Sequence, residues 1–412
     1  MNDAAPTHWW REVGPREWRA LVAAGAGWML DAMDVTLYII ALGAIGAEFH
    51  LSRAQSGAVA SATLVASALG GIASGVLADR FGRVRMLIVS ILAYSLFTAL
   101  TSTSQNLTQL VLWRILVGLG MGGEWSAGAV LVAETWPARH RGKAIGLMQS
   151  GWAIGYMLAA ALGALIIPVW GWRPLFLAGL LPALLTIWIR RGVPEPDVWK
   201  APRETGTRRG MSLAPLLRPP LRSRVLIATA TTTALLFSYW GLFTWVPTYL
   251  ASRDTGGAGL GIVKSTPWIV VMQIGAFLGY ASFGFLADRF GRRPTFIAFV
   301  LGAAAIVPIY GGSARSEWTL MALGPIVGFL GHGYFSVFGA MLAELFPSAV
   351  RGSAQGFCYN AGRAASALAP WIIGALADRY GLGLALGATS VLYAAGAGLV
   401  LLLPETRGKE IA

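Results

Sequence analysis

The sequence has little of several things on which soluble proteins and enzymes depend. Among its 412 residues there is one cysteine, Cys358, which excludes an internal disulfide and a cysteine-rich metal site. Charged residues make up only 12% of the chain, too few for a largely water-exposed surface. The sequence contains no P-loop, no metal-ligand spacing and no nucleophile–base set, so we expect neither an enzyme nor a nucleotide-driven pump.

Apolar residues, by contrast, are abundant: they form 56% of the chain, and the mean hydropathy is +0.61. A bilayer span needs about 20 mainly apolar residues. Twelve such stretches are predicted, at residues 19–46, 56–78, 84–104, 109–134, 142–167, 173–191, 223–250, 265–288, 294–312, 317–344, 352–378 and 383–403. The pattern predicts a polytopic α-helical membrane protein.

The net charge of +13 follows a membrane pattern rather than a nucleic-acid pattern. With the N-terminus placed in the cytoplasm, 24 of the 32 Lys and Arg residues fall in cytoplasmic segments and 6 in external loops. Positive residues concentrate on the cytoplasmic side of membrane proteins. We therefore predict a multi-pass protein of the inner (plasma) membrane with both termini cytoplasmic. Its positive charge would face the lipid bilayer, and no nucleic-acid partner is expected.

One charged motif occurs twice. The pattern Gly-x-Leu-Ala-Asp-Arg-Phe-Gly-Arg stands at Gly75–Arg83 and again at Gly284–Arg292, an offset of 209 residues, about half the chain. Parallel repeats of this kind are typical of transporters in which one bundle rocks against the other around a central site. The predicted fold class is an all-α polytopic membrane protein with 12 transmembrane helices in two pseudo-symmetric six-helix bundles.

A proline-rich segment with many basic residues separates the two halves and reads as a cytoplasmic linker. The predicted organisation is a cytoplasmic or interfacial N-terminus (1–18), an N-terminal six-helix bundle (19–191), the linker (192–222), a C-terminal six-helix bundle (223–403) and a cytoplasmic tail (404–412).

These motifs resemble those of the major facilitator superfamily over essentially the whole chain. Gly75–Arg83 and its copy look like the superfamily's signature loop between helices 2 and 3 and between helices 8 and 9. Arg114–Gly120 is similar to its helix-4 motif, and Pro194–Trp199 and Pro404–Gly408 resemble signatures of the metabolite:proton symporter branch. The resemblance implies alternating-access transport coupled to protons.

Within that branch, two further segments are similar to carboxylate carriers such as sialate and lactate symporters. They are Gly27–Asp34 in helix 1 and Gly122–Trp125 in helix 4. Nicotinate permeases share a similar first helix. The resemblance therefore points to organic acids as a substrate class.

The repeated loops are candidates for a gate on the cytoplasmic side. A carboxylate at a helix end can accept hydrogen bonds from the free amide end of a neighbouring helix, and the arginines can pair with acids. The predicted gating or structural residues are Asp79, Arg80, Gly82, Arg83, Arg114, Glu134, Arg141, Asp288, Arg289, Gly291, Arg292, Glu344 and Arg351. The alternative interpretation is a topology signal made of ordinary basic residues.

Five ionisable residues fall inside the predicted spans: Asp31, Asp34, Arg114, Glu124 and Arg363. An ionisable group in a bilayer is costly and is therefore a functional candidate. Asp31 and Asp34 share one face of helix 1, and the helical rise places Glu124 at a similar depth. Buried neighbouring acids favour each other's protonated forms, as a proton carrier requires. We predict proton coupling through these three acids; the alternative is a permanent pair between one of them and Arg114.

Arg363 is the candidate anchor for the substrate. It shares a face of helix 11 with Tyr359 and Asn360, at spacings of four and three. A guanidinium is a planar fork that binds two carboxylate oxygens at once. The resemblance to carboxylate symporters leads to the same expectation. The alternative is a salt bridge to an acid of the N-terminal half.

The halves thus differ inside, with acids in the N-terminal half and the candidate anchor in the C-terminal half. We predict that helices 1 and 4 handle protons and that helix 11 holds the anion. Aromatic walls with a few polar groups suit a small, partly apolar acid. The other predicted substrate-binding residues are Tyr38, Gln149, Trp152, Tyr156, Tyr239, Trp240, Gln273, His332 and Tyr334. Simple packing is the alternative for each, and His332 is also a candidate second titrating group.

A drug exporter and a sugar symporter are the competing functions. Exporters of this superfamily carry a Gly-Pro motif within helix 5, whereas Gly146–Ile167 has no proline. Sugars need many amide and hydroxyl partners, and this interior offers few. We predict proton-coupled uptake of a small organic carboxylate (a monocarboxylate, a sialate-like or an aromatic acid). The alternative is a proton-coupled symporter of a sugar or another neutral metabolite. We expect a monomer with no cofactor beyond the coupling protons.

Overall fold

A computed structural model describes most of the chain as helices. The described residues are 12–137, 140–192, 216, 218–219, 221–253, 256–347 and 350–405. The predicted linker (192–222), the first 11 residues and the end of the tail lie largely or wholly outside them, so the predicted domain boundaries stay predictions. Within the described residues there is no strand, which agrees with the predicted all-α fold class.

Within the described residues, twelve helical units make up two bundles. The N-terminal bundle contains α1 (Pro15–Glu48), α2 (Arg53–Phe81), α3 (Arg83–Thr101), α4 (Leu107–Thr135), α5 (Arg141–Trp170) and α6 (Arg173–Leu177, a 3-10 turn at Ala178–Leu180, and Leu181–Gly192). The C-terminal bundle contains α7 (Leu221–Phe243 and Val246–Ala251), α8 (Gly261–Phe290), α9 (Arg292–Gly312), α10 (Glu317–Gly333 and Phe335–Glu344), α11 (Arg351–Ser366 and Ala369–Tyr380) and α12 (Leu382–Leu401).

Four of these units are divided, which hydropathy alone does not predict. Pro247 and Pro370 stand in the first turn of the second segments of α7 and α11. Proline has no N–H to donate, so it ends the preceding hydrogen-bond ladder and starts a new one. In the described chain nine helices are long and apolar enough to cross a membrane by themselves. The other three units are α6 and α11, which are divided, and α4, which carries buried charges.

Glycines let the helices of each bundle approach closely. A Cβ added at Gly122 of α4 would collide with the backbone carbonyl of Ser67 in α2. In the C-terminal bundle, a Cβ added at Gly328 of α10 would collide with the carbonyl of Met272 in α8. Membrane helices pack through such small faces because apolar burial does not drive their association. The α2–α4 and α8–α10 pairs are equivalents, so the repeat of the sequence is also a repeat of packing.

The repeated loop forms the same tight turn in both halves. Gly82 has φ 113° and Gly291 has φ 102°, a region that favours glycine. A third turn of this kind closes α11, at Gly381 with φ 83°. Its sequence, Gly374–Gly381, reads Gly-Ala-Leu-Ala-Asp-Arg-Tyr-Gly and nearly copies the repeated motif. Because α11 runs opposite to α2, this third copy lies on the predicted external side. It was not among the motifs recognised in the sequence.

Candidate functional site

The two bundles close on a small central cavity. It measures about 20 Å³, and its lining includes Tyr38, Ser67 and Arg114 from the N-terminal bundle and Trp240 from the C-terminal bundle. About 10–15 Å³ is needed for one water molecule, whereas sites for organic ligands measure about 300–1,000 Å³. In this state the cavity is too small for an organic substrate, so we expect substrate binding to require a wider opening between the bundles.

Arg363 crosses from one bundle to the other. Its side chain is buried, and Nη2 donates a hydrogen bond of 2.7 Å to Ser67 Oγ on α2. Among the described residues no carboxylate lies within 4 Å of it, so the alternative of a direct salt bridge does not hold in this state; Asp31 acts on it only at longer range. A neutral hydroxyl is a weak partner for a guanidinium, and a substrate carboxylate would be a stronger one.

Tyr359 and Asn360 accompany Arg363, as the spacing predicts. Asn360 Nδ2 donates to the carbonyl of Gly356 at 2.9 Å, and its Oδ1 faces α2, 3.6 Å from a Cβ added at Gly71. Tyr359 is partly buried and close enough to Arg363 for their charges to interact. The structure therefore brings the predicted carboxylate cradle together at the α2–α11 interface.

The predicted proton-coupling acids gather around α1. Asp31, Asp34 and Glu124 are each about 1% exposed or less. Glu124 packs directly on α1, because a Cβ added at Gly27, one turn before Asp31, would collide with Glu124 Oε1. Both oxygens of Asp34, Oδ1 of Asp31 and Oε2 of Glu124 have no hydrogen-bond partner within the described residues. Buried carboxyl groups in this situation are strongly disfavoured in the charged form.

In this state Arg114 is not in direct ion-pair contact with a described acid, as a permanent pair with one of the acids would require. Its guanidinium carbon lies 4.9 Å from the ring centre of Tyr38, a cation–π contact. Nε and Nη1 have no hydrogen-bond partner in the described chain, and no contact salt bridge to a described acid is formed. Asp34 is the acid whose charge acts on it. Arg114 is thus held by an aromatic ring beside the central cavity.

Aromatic side chains from three helices surround the centre. Trp28 of α1 lies 4.7 Å from Trp152 of α5, and Trp152 lies 6.0 Å from Trp240 of α7 (ring centres). Tyr239 meets Trp240 at 5.3 Å. The indole nitrogens of Trp28 and Trp152 are buried and have no hydrogen-bond partner among the described residues. Trp28 was not predicted, although its spacing of three from Asp31 places it on the same face of α1.

Two of the predicted phenols are engaged elsewhere in this state. The hydroxyl of Tyr38 donates to the carbonyl of Ser56 at 2.9 Å. The hydroxyl of Tyr156 donates to the carbonyl of Phe243 at 2.9 Å and so links α5 to the break in α7. Neither hydroxyl is available to a substrate in this state.

The two predicted glutamines are buried with unused hydrogen-bonding capacity. Gln273 has no partner for either amide atom among the described residues, and Gln149 has none for Oε1. Unsatisfied amides in a closed interior cost about 1–3 kcal/mol each. They are better candidates for hydrogen bonds to a substrate than the engaged phenols.

His332 and Tyr334 lie inside the C-terminal bundle rather than on the central cavity. His332 Nδ1 is 3.1 Å from the carbonyl of Gly328, and its ring packs 4.0 Å from that of Phe243. Tyr334 packs 4.4 Å from Phe335. This arrangement favours the packing interpretation for both residues in this state.

The predicted gate is partly described. Arg292 Nε lies 2.8 Å from Glu344 Oε2, one of the expected pairs. Arg80 and Arg289 lie in equivalent places, 5.4 and 5.3 Å from the rings of Phe81 and Phe290, and Asp288 is exposed. The side chains of Asp79, Arg83, Glu134, Arg141 and Arg351 lie outside the described part. The gating role of these loops remains a prediction.

On the predicted external side, the third copy of the motif joins the two bundles. The Asp378 carboxylate accepts hydrogen bonds from the backbone N–H groups of Arg53 (3.1 Å) and Ala54 (2.9 Å), the first residues of α2. Arg53 Nη1 donates to the carbonyl of Ala377 at 2.9 Å. The repeated Ala-Asp-Arg-aromatic-Gly pattern was the signal that could have identified Asp378 from the sequence.

Comparison with known proteins gives a family and a fold. A family model described as Major Facilitator Superfamily matches residues 25–282 and 268–411. The cis,cis-muconate transport protein of Acinetobacter baylyi is 34% identical over 379 residues, covering 90% of this chain and 91% of that protein. The "Probable 4-methylmuconolactone transporter" of Cupriavidus pinatubonensis is 35% identical over 409 residues (98% and 94%). A D-xylose-proton symporter structure matches with a TM-score of 0.76 at 21% identity, over 96% of this chain and 99% of that chain, which concerns the fold alone.

Proposed function

The chain belongs to the Major Facilitator Superfamily, and from this premise we propose that it takes up a small organic carboxylate together with protons. It is a multi-pass membrane transporter and not an enzyme. We place it in the inner membrane with both termini cytoplasmic, as the distribution of Lys and Arg favours. Transport proceeds by alternating access, with the substrate bound between the bundles.

The observation that carries the proposal is the setting of Arg363. A buried guanidinium is costly unless it is paired, and among the described residues Arg363 donates across the interface to the neutral hydroxyl of Ser67. A substrate carboxylate that replaces this hydroxyl would complete the pairing. The named substrates of two relatives, muconate and methylmuconolactone, support an organic acid.

The aromatic centre supports a planar acid within that class. Trp28, Trp152 and Trp240 offer flat faces from three helices, and flat conjugated ligands bury most surface against such faces. The indole N–H groups of Trp28 and Trp152, with the amides of Gln149 and Gln273, supply the few polar contacts that fix orientation. We therefore propose unsaturated or aromatic carboxylates as preferred substrates.

Proton coupling is proposed for the acids of the N-terminal bundle. Asp31 is the acid that acts on Arg363 across the interface, and its charge also acts on Glu124 and Asp34. Arrival of an anionic substrate at Arg363 removes the attraction that favours ionised Asp31. Protonation of the acids and binding of the anion then assist each other, which is what symport requires.

The test is an uptake panel with purified protein in liposomes that contain the pH dye pyranine. The panel holds cis,cis-muconate, nicotinate, 4-hydroxybenzoate, lactate, sialate and D-xylose, with an acidic outer buffer; protein-free liposomes correct for passive entry. We expect at least one unsaturated or aromatic acid to accumulate with protons, and a protonophore to abolish accumulation. Uptake of xylose alone would support the neutral-metabolite alternative, to which the free glutamine amides are also suited. Acid uptake that ignores the protonophore would disprove the coupling.

A further inference from the structure

Asp34 meets α3 and α6 inside the N-terminal bundle. It is fully buried. A Cβ added at Gly179 of α6 would lie 3.3 Å from Asp34 Oδ1 and would collide with Thr98 Cγ2. The absence of a side chain at Gly179 therefore lets the α6 backbone approach both groups. Asp34, Thr98 and Gly179 meet at one point inside the N-terminal bundle.

The helix is irregular at this point. Between Arg173–Leu177 and Leu181–Gly192, α6 changes to a 3-10 turn at Ala178–Leu180, with Gly179 in its middle. Pro182, the second residue of the following segment, has no N–H for the carbonyl of Ala178, which gives the break a local cause. Interrupted helices also place ion sites in transporters. The route to the predicted external surface is short. Gly179 lies about two turns from Arg173, the first residue of α6, which pairs with Glu48 at 2.7 Å.

The polar groups at this point are incompletely satisfied. Both oxygens of Asp34, Thr98 Oγ1 and, one turn earlier on α3, Ser95 Oγ are buried and make no hydrogen bond of normal geometry among the described residues. The Thr98 hydroxyl is nevertheless close enough to the Asp34 carboxyl group to interact with it. By contrast, Thr101 on the same helix donates to the carbonyl of Phe97 at 3.0 Å, the ordinary arrangement for a buried threonine. Buried polar groups in native proteins are normally satisfied, and where the protein offers no partner, water commonly does.

The charged and titratable neighbours of Asp34 lie on the other sides. Asp31 is on the same helix, Tyr94 on α3, and Arg114 and Glu124 on α4; each interacts with the charge of Asp34. In the described part of α6, no ionisable group acts on it. Asp34 therefore connects the other acids on one side with an uncharged polar site on the other.

We propose that Asp34, Thr98 and the α6 turn at Gly179 form a water-binding site through which Asp34 exchanges its proton, separate from the substrate cavity. The proposal rests on proton-coupled transport as the function. The Thr98 hydroxyl donates to the Asp34 carboxylate and accepts from a water. A hydronium ion then gives its proton to the carboxylate and leaves as water, so charge and atoms balance. Protons enter between α1, α3 and α6, while the substrate enters between the bundles.

The test separates proton-driven uptake from exchange. Thr98→Val proteins are assayed with the acid that the panel identifies, once under a pH gradient and once as counterflow at equal pH. Gradient-driven uptake should fall about tenfold, the size of effect expected for a lost hydrogen bond to a charged group, while counterflow stays within about twofold. Thr98→Ser should restore uptake. Thr101→Val is the matched control and should behave as the unmodified protein. Equal loss of both activities, or no loss, would overturn the proposal.

A second measurement needs no substrate. Infrared difference spectra of the reconstituted protein, recorded between acidic and alkaline buffer, contain carboxyl C=O bands, and the band that disappears in Asp34→Asn belongs to Asp34. In Thr98→Val this band should move to higher frequency, because the carboxyl loses a hydrogen bond, and Thr101→Val should leave it in place. An unmoved band in Thr98→Val would contradict the site even if uptake is proton-coupled. If no acid is transported while the band moves, the proposed function fails and the site remains.

Discussion

Removal of the Asp378 carboxylate should open the predicted external side. In the closed state this group accepts hydrogen bonds from the first two N–H groups of α2, which belongs to the other bundle. All of these contacts must break before a substrate can enter from outside. Asp378→Ala removes them without touching the central cavity or the acids of α1.

The expected change in the ratio of closed to open states follows from the geometry of the Asp378 contact. A hydrogen bond to a charged acceptor contributes about 1.5–3 kcal/mol when it is protected from water. The Asp378 side chain is 33% exposed, so solvent screening reduces this contribution. We take about 1–2 kcal/mol as the contribution of the whole contact to the stability of the closed state. Since about 1.4 kcal/mol corresponds to a factor of ten, the ratio of closed to open states should fall about 5–30-fold.

The assay uses the chain's single cysteine. Cys358→Ser gives a background without thiols, and Ala60→Cys places a thiol on the central cavity, where a membrane-impermeant maleimide reaches it only through an open external side. Asp378→Ala should raise the labelling rate about 5–30-fold, in proportion to the open fraction.

The matched control is Glu48→Ala. Glu48 is also an acid on the predicted external side and pairs with Arg173 at 2.7 Å, but both residues belong to the N-terminal bundle. Its removal should leave labelling unchanged. An unchanged rate in Asp378→Ala, or an equal rise in Glu48→Ala, would refute the assignment of this contact to closure between the bundles.

Three further outcomes are expected. Arg363→Lys should lower acid uptake at least about tenfold, because an ammonium cannot bind two oxygens in a planar fork, while the melting temperature changes little; normal uptake would contradict its role as anchor. Gly122→Ala should reduce thermal stability clearly, because its Cβ collides with a backbone carbonyl of α2, whereas Gly398→Ala, with open space around it, should not. Arg292→Ala should lower the midpoint of thermal unfolding modestly, because it removes the 2.8 Å ion pair with Glu344; an unchanged midpoint would show the pair to be dispensable.

The fold could be predicted from the sequence because its signals are local and repeated. Twelve apolar stretches and a motif copied at half-length are sufficient for two bundles of six helices. The breaks in α6, α7, α10 and α11 could not be predicted from hydropathy, because an interrupted helix remains equally apolar. Pro182, Pro247 and Pro370, each the second residue of the second segment, offered a signal for three of them.

The buried ionisable residues could be recognised from the sequence, but their arrangement could not. Ionisable groups within a bilayer are energetically costly and therefore rare in apolar helices. For this reason Asp31, Asp34, Glu124 and Arg363 could be recognised in the sequence. Which way each one faces depends on packing between helices far apart in sequence. The contact of Arg363 with Ser67 joins residues 296 positions apart, and no pattern within either helix indicates it.

The helical spacing of Asp31 and Asp34 also did not show that the two acids have different surroundings. Asp31 and Asp34 are three residues apart, and their shared face suggests one environment. In the structure Asp31 acts on Arg363 in the other bundle, while Asp34 meets Thr98 and the α6 turn. Because α1 packs against other helices on several sides, positions three residues apart on it have different surroundings. A single sequence does not reveal these surroundings.

The most direct test of the account is simultaneous measurement of acid and proton flux in one liposome preparation. With an acidic outer buffer, we predict that an unsaturated or aromatic carboxylate accumulates and that pyranine reports proton entry in step with it. Arg363→Lys and Asp31→Asn should each lower the coupled flux at least about tenfold. Acid accumulation without any proton entry, or full coupled flux in both variants, would contradict it.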